Sequence, residues 1–176
     1  MVDRLNVSVC GRQECEETMN GQARAKILLV DDRPENLFAL KQVLDCLDVQ
    51  IDTASSGNEA LVKMIHEDFF LVLLDVHMPD MDGIEVANLM QNRPETRDTP
   101  IIFITAANQG ARDEIKGYAA GAVDFLTTPI DHDVLKCKVS VFLQLYRKQQ
   151  KLEQEIMACG PTVGEAKRDG LLQRSS

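Results

Sequence analysis

The sequence lacks several things, and each absence removes a class of protein. No apolar run approaches the ~20 residues that cross a bilayer. The densest, Phe69 to Leu74, is the size of a strand. Residues 1–22 contain no apolar core of a signal peptide, so secretion is not expected. Paired cysteines are missing too. The five present (Cys10, Cys15, Cys46, Cys137 and Cys159) are odd in number, scattered and free of any C-x-x-C motif. They read as reduced thiols of a cytoplasmic protein. The C-x4-C of Cys10 and Cys15 is a weak pattern for a metal or a disulfide. Basic charge is also short: 19 Lys and Arg face 28 Asp and Glu, for a net charge of -9. That argues against direct binding to nucleic acid, whose phosphates need a basic surface. No repeat or low-complexity segment stands out.

What remains is a globular composition. The chain has 176 residues, 44% hydrophobic and 27% charged, which suits one ordinary domain with some tail. The negative charge is concentrated in residues 26–130, where 18 acids face 8 bases. Such a segment has carboxylates to spare for a hard cation.

Periodicity divides the chain. Residues 1–25 show none and read as a flexible arm. Ile27 to Val30 is a short continuous apolar run, the pattern of a strand buried on both faces. Pro34 suits the first turn of a helix, and Leu37, Leu40, Val43, Leu44 and Leu47 follow at helical spacing. Val49–Ala54, Phe70–Leu74, Ile101–Ile104 and Val123–Leu126 read as four more strands. Helices are expected around Ala60–Ile65, Ile84–Met90 and, more weakly, Ala111–Ala119. Asp131 can cap a long last helix running from Val134 through Tyr146. Residues 26–147 thus form one domain, and residues 148–176 a helical extension and flexible tail. Five buried strands alternating with helices predict an α/β fold with a parallel sheet covered on both faces. For five strands the flavodoxin-like doubly wound order 2-1-3-4-5 is favoured.

In such a sheet, sites form at the carboxyl ends of strands, where the strand order reverses. Asp31 and Asp32 end the first strand, Asp75 the third and Thr105 the fourth. Strands one and three are neighbours in the favoured order, so three carboxylates would share one cleft. Their repulsion calls for a compensating cation, and Mg²⁺ with oxygen ligands is the natural one. A strand-end carboxylate beside Mg²⁺ can act as a nucleophile toward phosphorus. The Thr105 hydroxyl and the backbone N–H groups after Asp75 and Thr105, at Val76 and Ala106, can donate to phosphoryl oxygens. A lone strand-end Asp is commonly just a turn residue or a helix cap; three together are much harder to explain that way.

Four segments in order carry a family likeness: Leu-Leu-Val-Asp-Asp at 28–32, Leu-Leu-Asp-Val-His-Met-Pro-Asp-Met-Asp-Gly at 73–83, Ile-Thr-Ala at 104–106 and Gly-Ala-Val-Asp-Phe-Leu-Thr-Thr-Pro-Ile at 121–130. About residues 25–147 resemble the receiver domain of two-component response regulators. The resemblance implies a phosphoacceptor at Asp75, charged from a phosphohistidine on a histidine kinase or phosphotransfer protein. It implies Mg²⁺ held by Asp32, Asp75 and the backbone carbonyl of His77, with Asp31 assisting. It implies a switch pair, Thr105 and Phe125, that reshapes the surface around helix four, strand five and helix five for an output protein or domain.

One position departs from that pattern. The family has Lys immediately before the proline after strand five; here Thr128 precedes Pro129, and the neighbours align without a gap. A short neutral side chain supplies no charge to a phosphoryl group, and the acidic cluster must lean harder on Mg²⁺. Thr128 marks either a receiver whose phosphorylation couples poorly to output or a pseudo-receiver that acts as a phosphorylation-independent interaction module. Retained phosphorylation is favoured, because Asp31, Asp32, Asp75 and Thr105 remain. A phosphatase on a related fold ranks last, since Asp75 is followed by Val76 and His77 and no carboxylate stands two residues on as a general acid. The chain is therefore expected to be a signalling domain and not an enzyme.

His77 and Ala107 border the expected site and are candidates to tune dephosphorylation, His77 through water access. Beyond the domain, Phe142, Leu145, Gln149, Leu152 and Ile156 trace an a/d seam of about two heptads, which points to a homodimer through the last helix or to a plain amphipathic extension.

Overall fold

A computed structural model describes residues 24–106 and 123–158. The elements are β1 (Lys26–Val30), α1 (Pro34–Leu44), β2 (Gln50–Ala54), α2 (Gly57–His66), β3 (Leu71–Asp75), α3 (Gly83–Gln91), β4 (Ile101–Ala106), β5 (Asp124–Thr128) and a C-terminal helix, His132–Ala158. All strand pairings are parallel and the order is β2-β1-β3-β4-β5. This is the doubly wound α/β architecture that the buried strands imply. The weak helix at 111–119, the residues before Arg24 and those after Ala158 lie outside the described residues, as do Cys10, Cys15, Ala107 and Cys159.

Alternation splits each central strand between two cores. Leu28, Val30, Val72, Leu74, Ile101 and Phe103 face one side, where Ala60 and Met64 of α2 and Val86, Ala87 and Met90 of α3 cover them. Ile27, Leu29, Leu71, Leu73, Ile102 and Ile104 face the other, beneath Leu40 and Leu44 of α1 and Leu135, Val139 and Leu143 of the C-terminal helix. Burying each such side chain stabilises the fold by about 1.5–3 kcal/mol, so the strands read as unbroken apolar runs.

Local chemistry sets the helix starts. Ser56 accepts from the Glu59 N–H at 3.2 Å. Asp82 and Glu85 form a reciprocal capping box opening α3. Asp131 caps the C-terminal helix, accepting from the N–H groups of Asp133 at 2.9 Å and Val134 at 3.2 Å. Strand boundaries differ from the sequence expectation by one or two residues: β1 begins at Lys26, β2 begins at Gln50 and β3 ends at Asp75. β3 begins at Leu71, because Phe70 turns its ring onto Tyr146 (centroids 5.7 Å apart). β4 continues to Ala106, and β5 is shifted to Asp124–Thr128, because the two strands pair on through Thr105 with Thr127 and Ala106 with Thr128.

Candidate functional site

β1 and β3 are adjacent, and each ends in acid. Oxygen atoms of Asp31, Asp32 and Asp75 lie within 4.8 Å of one another. Asp31 is buried, while Asp32 and Asp75 are half-buried. The elements behind them fix the cluster. The Asp31 carboxylate accepts from the Arg33 backbone N–H at 2.8 Å and from the Asn36 side-chain amide at 2.9 Å. Asn36 sits on the first turns of α1, which the Pro34 start places beside the strand end. The sequence reading missed Asn36; its signal was an amide five residues beyond a strand-end acid, one turn into a helix.

β3 and its loop hold Asp75. The Val76 N–H donates to the Ile104 carbonyl at 3.0 Å, and the Gly83 N–H donates to the Val76 carbonyl at 3.0 Å. The loop between them turns at Asp80, whose φ of 68° is a left-handed conformation that Asp tolerates better than most residues. His77, two residues past Asp75 in this loop, is exposed. Met78 in the same loop is buried in the α2–α3 core, so it fills packing space.

Electrostatics follow from this crowding. Burial pushes the Asp75 carboxyl up to about 6, and the nearby Asp31 charge adds to the shift. The imidazole and backbone N–H of His77 oppose it, while Asp32 adds to it. Burial also raises the Asp31 carboxyl, against the hydrogen bonds from Arg33 and Asn36. Among the described residues, no ammonium or guanidinium pairs with any of the three carboxylates. A net-negative, all-oxygen donor set of this kind fits a hard divalent cation such as Mg²⁺.

β4 brings Thr105 beside the cluster, one residue past Ile104, the register partner of Asp75. Thr105 is buried, and its hydroxyl has no hydrogen-bond partner among the described residues. A buried hydroxyl left unpaired costs about 1–3 kcal/mol, so it suits a site that awaits an acceptor such as a phosphoryl oxygen. Phe125 lies opposite Phe103 across β4 and β5, and so shares a sheet face with Thr105. Its half-buried ring packs on Phe103, with centroids 5.4 Å apart. Ala106 ends β4 opposite Thr128 and is exposed. Thr128 is exposed, and its hydroxyl donates to the Thr105 carbonyl over 3.5 Å. It thus reaches the backbone of β4 with a neutral group.

Known proteins share this sequence pattern and fold. The response regulator receiver domain matches residues 27–140. A probable cyclic di-GMP phosphodiesterase of Vibrio cholerae is 36% identical over 135 residues, covering 77% of this chain and 30% of that protein. The response regulator PleD of Caulobacter vibrioides is 40% identical over 115 residues, covering 65% of this chain and 25% of that one. The chain therefore spans 25–30% of the length of these relatives. Among solved structures, a putative response regulator from Chloroflexus aurantiacus superposes with a TM-score of 0.65 at 29% identity, covering 69% of this chain and 99% of that one. The chemotaxis protein CheY4 of Vibrio cholerae does so at 0.64 and 28% identity, covering 68% of this chain and 99% of that one. The chain belongs to the response regulator receiver domain family.

Proposed function

We propose that this receiver takes a phosphoryl group on Asp75 from a phosphohistidine of a histidine kinase or phosphotransfer protein. A carboxylate oxygen of Asp75 forms the new bond to phosphorus while the bond from phosphorus to the donor imidazole breaks, and that imidazole leaves with the freed electron pair. The observation that carries this reading is the convergence of three strand-end carboxylates within 4.8 Å, beside the unpartnered buried hydroxyl of Thr105.

Asp32, Asp75 and the carbonyl of His77 are the ligands that would hold Mg²⁺, with Asp31 behind them. Bound there, Mg²⁺ neutralises the cluster and draws charge from the phosphoryl oxygens. Asp31 is the rigid member, since Arg33 and Asn36 fix both its oxygens. The Thr105 hydroxyl and the Ala106 N–H are proposed to donate to the phosphoryl oxygens, and Phe125 to follow Thr105 as it moves. His77 and Ala107 are proposed to tune the lifetime of the acyl phosphate, His77 through water access. The output is a changed protein-binding surface in the cytoplasm, and the chain itself turns over no external substrate.

Thr128 supports a second reading. It offers no cation to the phosphoryl group, so the phosphorylated and resting states differ less in energy than in a receiver that keeps the lysine. If that difference vanishes, the chain is a phosphorylation-independent interaction module.

Beryllofluoride, which mimics a phosphoryl group on a carboxylate, separates the two readings. Amide NMR shifts at Thr105, Ala106 and Phe125 that need both Mg²⁺ and beryllofluoride, and vanish in Asp75→Asn, are the expected result. Mg²⁺ binding with no such shifts supports the interaction module.

A further inference from the structure

The C-terminal helix outlasts the sheet it covers. Its inner face is buried through Leu143, Tyr146 packs on Phe70, and Arg147 is held by Asp48 through its carbonyl at 3.1 Å and its carboxylate at 3.0 Å. From Lys148 onward the helix runs clear of the described core. A different side stays apolar and uncovered: Leu145 is 55% exposed, Leu152 59% and Ile156 73%. These residues fall at a/d heptad positions with Gln149 and with Phe142, which is itself half-buried against the chain's own core, so the uncovered seam begins at Leu145. Phe142, Gln149 and Ile156 take a; Leu145 and Leu152 take d.

We propose that a second copy of this chain covers this seam, and that the two C-terminal helices pair in parallel as a short two-stranded coiled coil. Charge complementarity selects the occupant. With that seam, Lys148 takes g and Glu153 the following e, the two positions that meet across a parallel pair. Lys148 of each chain therefore faces Glu153 of the second copy, giving two ion pairs. Among the described residues Lys148 has no ion pair within its own chain. Among the same residues Glu153 meets the neutral amides of Gln149 at 2.9 Å and Gln150 at 3.5 Å and no cation. Gln149 selects the direction. In a parallel pair an a residue faces its own copy, and two Gln149 amides can bond each other. An antiparallel pair seats Gln149 against a d-position leucine and strands its amide. The pairing depends on neither Asp75 nor Mg²⁺, so its failure leaves the phosphoacceptor reading intact.

Sedimentation equilibrium of the full chain tests the proposal. The expected result is a reversible monomer–dimer equilibrium that weakens with salt. Lys148→Glu alone and Glu153→Lys alone should each weaken dimerisation about five- to tenfold, since two lateral pairs turn repulsive. Mixing these two variants should restore it, because every lateral contact of the mixed dimer is again opposite in charge. Gln149→Leu should tighten it by removing a polar residue from the seam. All three side chains are exposed or nearly so, and circular dichroism should confirm unchanged folding. A chain that stays monomeric at every concentration, or a mixture no tighter than either variant alone, overturns the proposal.

Discussion

A β-carbon built on Gly83 would fall 2.2 Å from the backbone carbonyl oxygen of Asp75. The first turn of α3 therefore presses directly on the end of the strand that carries the candidate phosphoacceptor. The obstacle is backbone, which cannot swing aside, so Gly83→Ala must displace α3 or the end of β3. We expect a loss of about 1–3 kcal/mol, the usual range for overpacking, read as a lower urea midpoint. Gly57→Ala should cost less, although its β-carbon would lie 2.6 Å from Val86 Cγ2, because its nearest neighbours are the side chains of Val86 and the flexible Met81. Equal stability of Gly83→Ala and the parent would contradict the close approach.

Asp75 makes stability depend on pH in a defined direction when no metal is bound. Its carboxyl sits at about 6 in the folded chain, against ~3.9 for an unfolded Asp. A raised carboxylate destabilises the fold fully above about 6. The penalty shrinks as the pH falls toward ~4, because the folded state takes up a proton that the unfolded state does not yet hold. The lowered carboxyls of Glu59 and Glu67 work the opposite way, so the Asp75 contribution is isolated by difference. Asp75→Asn should be more stable than the parent in chelator at pH 7, with the gap closing toward pH 4. A gap that widens on acidification would show that the Asp75 carboxyl is not raised.

Asn36 should matter to the metal site without touching the metal. It holds one Asp31 oxygen at 2.9 Å while the Arg33 N–H holds the other. Asn36→Ala is expected to cost about 1 kcal/mol and to weaken Mg²⁺ binding severalfold, as loss of an outer orienting group does. Asn36→Asp should destabilise the metal-free chain further, since a fourth carboxylate would face Asp31. Urea denaturation in chelator reads the stability of both variants and calorimetric Mg²⁺ titration the affinity of Asn36→Ala; unchanged affinity there would mean Asp31 is positioned by other contacts.

Thr128→Lys should return a positive charge to the end of β5. The expected results are a lower Asp75 pKa in the metal-free chain and a larger beryllofluoride-induced shift at Phe125 than in the parent. Identical shifts in the two chains would mean that the missing charge has no part in the conformational response.

Much of this was legible in the residues. Four apolar runs and one alternating segment gave the strand count, and Asp31, Asp75 and Thr105 at the ends of three of them the cleft, because a doubly buried parallel strand has a plain signature and the strand order then dictates which ends meet. Contacts made by returning chain were not legible. Gly83 reads as a turn residue, and only the path of the 76–83 loop reveals its pressure on Asp75. Asn36 reads as a helix residue until the α1 start is placed. Strand ends slipped by one or two residues at β4 and β5, where edge pairing outlasts the hydrophobic run and the polar Thr127 and Thr128 continue the ladder.

The most direct test is the intact mass of the chain after incubation with a small-molecule phosphodonor and Mg²⁺, with Asp75→Ala alongside. The account predicts the gain of one phosphoryl group, dependent on Mg²⁺ and lost in Asp75→Ala. No gain in the parent, or an equal gain in Asp75→Ala, would contradict it.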